Sequence, residues 1–82
     1  MVVKIIFRTY DNGRTLGLLP HTFEEYSGMV TAYDGEDFLL VEPNEVISET
    51  KPSEFEEYED IQLALEEIGF KLKIVKRFTI KK

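Results

Sequence analysis

Residues 2–19 read VVKIIFRTYDNGRTLGLL, and this stretch decides the class of fold. Residues 2–9 are rich in β-branched and aromatic side chains, with Lys4 and Arg8 facing opposite to Val3, Ile5 and Phe7. That two-residue period is the signature of a strand. Asp11-Asn12-Gly13 follows, and Asn-Gly is a strong hairpin signal because both residues accept positive φ. Residues 14–19 then form the return strand. Pro20 has no N–H to give to a ladder and is expected to end it.

Working outward, residues 21–28 have no clean period and read as a loop or a single helical turn. Residues 29–33 and 37–41 are two short apolar runs around Asp34-Gly35-Glu36, which predicts a second hairpin. Residues 42–51 carry Pro43 and Asn44 and read mostly as a loop, with room for a short strand segment at Glu45-Val46-Ile47-Ser48.

Ser53 is expected to open a helix, with Glu56 at the spacing of a capping box. Phe55, Tyr58, Ile61, Leu65 and Ile68 recur at helical spacing and form one apolar stripe. Acids crowd the first turns, where the helix dipole favours them, and Gly69 sits where a left-handed cap belongs. Residues 70–80 alternate again, with Phe70, Leu72, Ile74, Phe78 and Ile80 on one face and Lys71, Lys73, Arg77 and Thr79 mostly on the other. Lys76 breaks that register and suggests a bulge or an exposed end.

The expected order is therefore β-β-β-β-α-β. The fold class is α+β: a small antiparallel β-sheet of about five strands with one amphipathic helix packed on one face, in a single domain over residues 1–82. The opposite sheet face is expected to be solvated and to carry the Lys and Arg residues of the strands.

Charge is sorted along the chain. From Asp34 to Glu67 there are thirteen acids and one base, Lys51, whereas residues 68–82 hold six bases and no acid, for a net charge of −6. Hydrophobic residues at 43% support a folded core, since a disordered chain lacks the apolar area to offset ordering entropy. With no cysteine there is no disulfide framework, no thiolate nucleophile and no Cys-based zinc site. The first residues hold too short an apolar run for a signal peptide, and no stretch approaches the ~20 apolar residues of a membrane span. A soluble, cytoplasmic protein is expected.

Glu56, Glu57, Glu59 and Asp60 are the candidate protein-binding residues, on the acidic face of the helix. Like charges three and four residues apart, such as Glu56 with Glu59 and Glu56 with Asp60, repel, and no Lys or Arg on the helix relieves them. The bland alternative is a solvated face. Lys71, Lys73 and Arg77 read as protection of an edge strand, or as neutralisation of the helix across the fold, before they read as a phosphate-binding strip. His21 is the one histidine and lacks the convergent ligands of a metal site. Asp34-Gly35-Glu36-Asp37 lacks the alternating ligands of a calcium loop and reads as an acidic turn. Ser27, Ser48 and Ser53 sit in no nucleophile context. No catalytic residue, cofactor or metal is expected.

Several short motifs resemble a family. Ile6-Phe7-Arg8, Asp11-Asn12-Gly13, Leu18-Leu19-Pro20, Thr50-Lys51-Pro52, Glu57-Tyr58, Leu65, Ile68-Gly69-Phe70, Leu72 and Val75-Lys76-Arg77 look like those of a group of small uncharacterised intracellular bacterial proteins, some carried on mobile elements. The resemblance covers both ends of the chain. In the middle, where such proteins carry Cys, Tyr and paired His, this chain has Val30-Thr31-Ala32-Tyr33-Asp34-Gly35-Glu36, and Tyr33 alone corresponds. The resemblance implies a compact α+β domain and supplies no activity.

The functional expectation is a non-enzymatic binding protein that uses the acidic helical face or an exposed sheet edge, with a basic protein as the partner. The alternative is an acidic mimic of nucleic acid that inhibits a DNA- or RNA-binding protein. Neither nucleic acid nor membrane is the expected partner. The chain is read as a monomer or as a homodimer through its final strand.

Overall fold

The computed structural model describes residues 2–77. Its elements run β1 (Val2–Tyr10), β2 (Thr15–Glu24), β3 (Met29–Tyr33), β4 (Phe38–Val41), α1 (Pro43–Glu49), β5 (Thr50–Pro52), α2 (Phe55–Ile68) and β6 (Lys71–Ile74). The α+β class is as expected, with two helices in place of one and six strands in place of about five.

β1 is the axis of the sheet. The strand order is β4-β3-β2-β1-β5, and β6 also pairs with β1. β2 holds one flank of β1. The other flank is divided: Val2–Ile5 pair with β6 in parallel, and Arg8–Tyr10 pair with β5 in antiparallel. Every other ladder is antiparallel. Between the two partners, Val75 N–H donates to Ile5 O and Ser53 N–H donates to Phe7 O, so the ladder continues through the fork.

The first hairpin forms where expected, with Ile6 opposite Leu18 and Thr9 opposite Thr15. Its turn differs in detail. Gly13 alone takes positive φ (89°), and no non-glycine residue among those described does so. Asn12 instead accepts the Arg14 N–H on its side-chain oxygen at 2.9 Å. The loop is thus the three-residue kind, in which only the last position needs left-handed freedom.

β2 does not end at Pro20. It continues to Glu24, and its register with β3 shifts between Leu19 and Glu24. The missing proline N–H is accommodated because the ladder is already broken there. Thr22 Oγ1 donates to Leu19 O at 2.6 Å and accepts the Thr31 N–H at 2.8 Å, standing in for backbone partners. The expected loop at 21–28 shortens to the turn at 25–28, closed by Gly28 N–H to Glu24 O.

Residues 42–51 are not a loop. The Glu42 carboxylate accepts the N–H groups of Asn44 and Glu45, and Pro43 occupies the first turn, where its fixed φ suits a helix. Val46 is buried and Ile47 packs beside it. The short strand segment expected at 45–48 is therefore helical, and the strand that does form follows it as β5.

α2 begins one residue later than expected. Glu57 Oε1 accepts the Glu54 N–H at 2.8 Å, so the box residue is Glu57, not Glu56. The Ser53 hydroxyl turns inward to Thr9 Oγ1 at 2.6 Å. Of the expected stripe, Ile61 and Leu65 are buried and Tyr58 is half-buried, while Phe55 and Ile68 are exposed. Gly69 takes φ 116° and caps the helix through its N–H, as expected.

Both sheet faces are covered. One carries Val3, Ile5, Phe7, Leu19 and Tyr33 against Ile61 and Leu65 of α2, joined by Phe70 and Leu72. The other carries Ile6, Leu16, Leu18, Val30 and Ala32 against Val46 of α1, with Phe23 and Val75 at the margin. The expectation of a solvated second face holds at one corner only, where Lys4, Lys71 and Lys73 are exposed. The parallel register of β6 with β1 puts them together opposite Leu72 and Ile5. Phe78 and Ile80, expected to extend the last strand, lie outside the described residues, as do Lys81 and Lys82.

Candidate functional site

Glu56, Glu57, Glu59 and Asp60 all lie in the first half of α2, whose buried side is Ile61 and Leu65. Glu56, Glu59 and Asp60 are exposed; Glu57 is half-buried and committed to the Glu54 N–H. Sequence reasoning grouped the four by charge, and the fold divides them into three solvent-facing carboxylates and one cap.

None of these acids is neutralised by a described residue. Arg14 with Asp34 is the one ion pair among the described residues, at 3.3 Å. Cross-fold neutralisation by the last strand does not occur there, because Lys71 and Lys73 lie on the sheet face opposite α2. The sheet itself separates the two charges.

The acidic turn between β3 and β4 adjoins the middle of α2, since a Cβ at Gly35 would lie 3.7 Å from Ile61 Cγ1. Asp34 Oδ1 accepts the N–H groups of Glu36 and Asp37, each at 2.8 Å. Those two bonds, with Arg14 beside them, hold the Asp34 carboxyl below the usual carboxylate range. Oδ1 serves its own backbone and Oδ2 pairs with Arg14. Among the described residues no group of three or more His, Asp or Glu side chains converges as metal ligands would. His21 sits exposed on β2.

Arg8 is the cation that sequence reasoning placed on a solvated face. Its guanidinium reaches the last turn of α1, with Nε donating to Thr50 Oγ1 at 2.9 Å and Nη2 donating to Ile47 O and Thr50 O. Burial lowers its pKa, and the helix's carbonyl end supplies the compensating partial negative charge. No local signal in residues 2–10 distinguishes Arg8 from Lys4.

A groove of about 160 Å³ opens at the fork in β1, lined by Phe7, Pro52, Ser53, Tyr58, Ile74 and Lys76 among others. Phe7 and Tyr58 stack there at 4.4 Å. The serines weighed as nucleophiles have structural partners: Ser53 bonds Thr9, Ser48 donates to Glu45 O, and Ser27 accepts the Met29 N–H.

The feature that sequence reasoning missed is the outer edge of β4, which pairs with no further strand among the described residues. Phe38 is 48% and Leu40 67% exposed, because α2 covers β1, β2 and Tyr33 of β3 and stops short of β4. The four-residue apolar run bounded by Asp37 and Glu42 was the available signal.

No helix among the described residues is long and apolar enough to cross a membrane. No family model, curated protein or solved structure matches the chain.

Proposed function

We propose that this is a non-enzymatic interaction protein of the cytoplasm that recognises a basic protein through its acidic side, by the outer face of α2 or by an exposed sheet edge. The observation that carries the reading is the row Glu56, Glu59 and Asp60, exposed and without a cationic partner among the described residues. Uncompensated like charges on one helix face cost stability, and a basic partner removes that cost on binding. Recognition of this kind is steered over distance and weakens with salt.

The test is capture from nuclease-treated host lysate, with the tagged parent beside a variant carrying Glu56, Glu57, Glu59 and Asp60 changed to Gln. Gln at 57 retains an acceptor for the Glu54 N–H, so the cap survives the change. A discrete basic protein held by the parent, released by salt and lost by the variant is the expected result. Equal capture by both proteins refutes the helix face as the binding surface. If the captured protein is itself a nucleic-acid binder displaced by its DNA or RNA, the narrower reading follows, in which the acids imitate a phosphate array.

A further inference from the structure

Thr31 N–H points toward β2, where it meets Thr22 Oγ1, and Asp34 N–H points the other way, to Asp37 O. In an antiparallel ladder the backbone direction alternates residue by residue. With Thr31 opposite Leu40 and Tyr33 opposite Phe38, it follows that Phe38 and Leu40 turn their N–H and C=O groups away from β3. No described strand lies on that side. The same two residues are the exposed apolar side chains of the strand, whereas Leu39 and Val41 pack into the core beneath α1.

We propose that the outer edge of β4 accepts an extended basic segment of a partner protein, which adds to the sheet as a further strand. The inference rests on the reading of this chain as a binding protein and specifies its sheet edge. Charge selects the occupant. Glu36 and Asp37 precede the strand and Glu42 and Glu45 follow it, all without a cationic partner among the described residues. An antiparallel second copy pairing Phe38 with Leu40 would set Glu36 of one chain opposite Glu42 of the other, and that repulsion rejects it. A phosphate backbone meets the same field. A segment alternating apolar residues with Lys or Arg fits on both counts, with apolar side chains over Phe38 and Leu40 and its cations near the acids at each end.

The probe is a capped peptide of about eight residues that alternates Val and Lys, beside the same peptide N-methylated at alternate amides. Methylation keeps charge and apolar area and removes the ladder donors. With the full chain, the unmodified peptide is expected to slow amide exchange at Phe38 and Leu40, and methylation to weaken binding ~tenfold or more. Leu40→Pro deletes one outward N–H while leaving the β3–β4 ladder whole, and is expected to abolish that protection. Leu40→Lys, at a site already exposed, repeats the test by charge should the proline disturb folding. Equal binding of the two peptides, protection at any strand other than β4, or no binding refutes the strand acceptor, as does concentration-dependent protection of Phe38 and Leu40 without peptide, which would make a second copy the occupant. The Gln variant of α2 separates the two readings. If it loses the peptide while Leu40→Pro keeps it, the helix face stands and the edge falls; the reverse pattern supports the edge and removes the helix.

Discussion

Phe7 and Tyr58 stack face to face, with ring centroids 4.4 Å apart and planes within 2° of parallel. Phe7 stands at the fork where β1 exchanges β6 for β5, and Tyr58 is one turn into α2. The pair therefore ties the helix to the one place where the sheet's edge changes partner, and Phe55 adds an edge-on contact to Tyr58 at 5.5 Å.

Tyr58→Ala is expected to destabilise the fold by about 2 kcal/mol, below the range for a fully buried aromatic because Tyr58 is half-exposed. Tyr58→Phe keeps the stack and is expected to change stability by less than about 0.5 kcal/mol. Urea titration of both variants checks this, and equal losses would mean that the ring contact is not the stabilising element.

Arg8→Ala removes three hydrogen bonds from the end of α1, two of them to carbonyls. A loss of about 2 kcal/mol is expected, since bonds to a charged donor are among the stronger ones. Arg8→Lys is expected to recover less than half of that loss, because an ammonium lacks the fork that spans Thr50 and Ile47. Faster amide exchange confined to residues 43–49 in both variants locates the effect.

A Cβ at Gly17 would lie 2.7 Å from Ile5 Cδ1 and 3.1 Å from Phe7 Cε1, both in the core beneath α2. Gly17→Ala is expected to cost about 1–2 kcal/mol through overpacking. Ile5→Val removes the nearest methyl, so the double variant is expected to be more stable than the sum of the single changes implies. Additive effects in the four-protein cycle would dismiss the contact.

The Asp34 carboxyl is held below its ordinary value, chiefly by the Asp37 and Glu36 N–H groups. A folded-state pKa below the unfolded one adds stability that is complete above about pH 3.8 and fades as pH falls through the lower, folded value. Asp34→Ala is therefore expected to lower stability at neutral pH and to approach the parent in strong acid. Thermal melts across that range test the sign. A constant gap between the two proteins would rule out Asp34 as the titrating group.

The sequence by itself determined the elements whose signals are local. Residues 2–19 fold as the hairpin that their alternation and turn dictate, residues 29–41 as the second, and residues 55–68 as a helix closed by Gly69. Two misreadings were also local in origin. Pro43 reads as a loop residue until Glu42 is seen to cap the turn, and Pro20 reads as a terminator until Thr22 is seen to bridge the bulge.

Only the tertiary structure decided which face each charge occupies and which edge is left open. Lys4, Lys71 and Lys73 meet because β6 runs parallel to β1, a pairing between segments some 70 residues apart that no local period encodes. Arg8 leaves the solvated set because α1 ends above it, and Phe38 and Leu40 are exposed because α2 stops short of β4. Periodicity tells a chain which side chains share a face. Which face finds a partner depends on long-range packing, and that placed Lys71 and Lys73 on the far side of the sheet from the acids they were expected to neutralise.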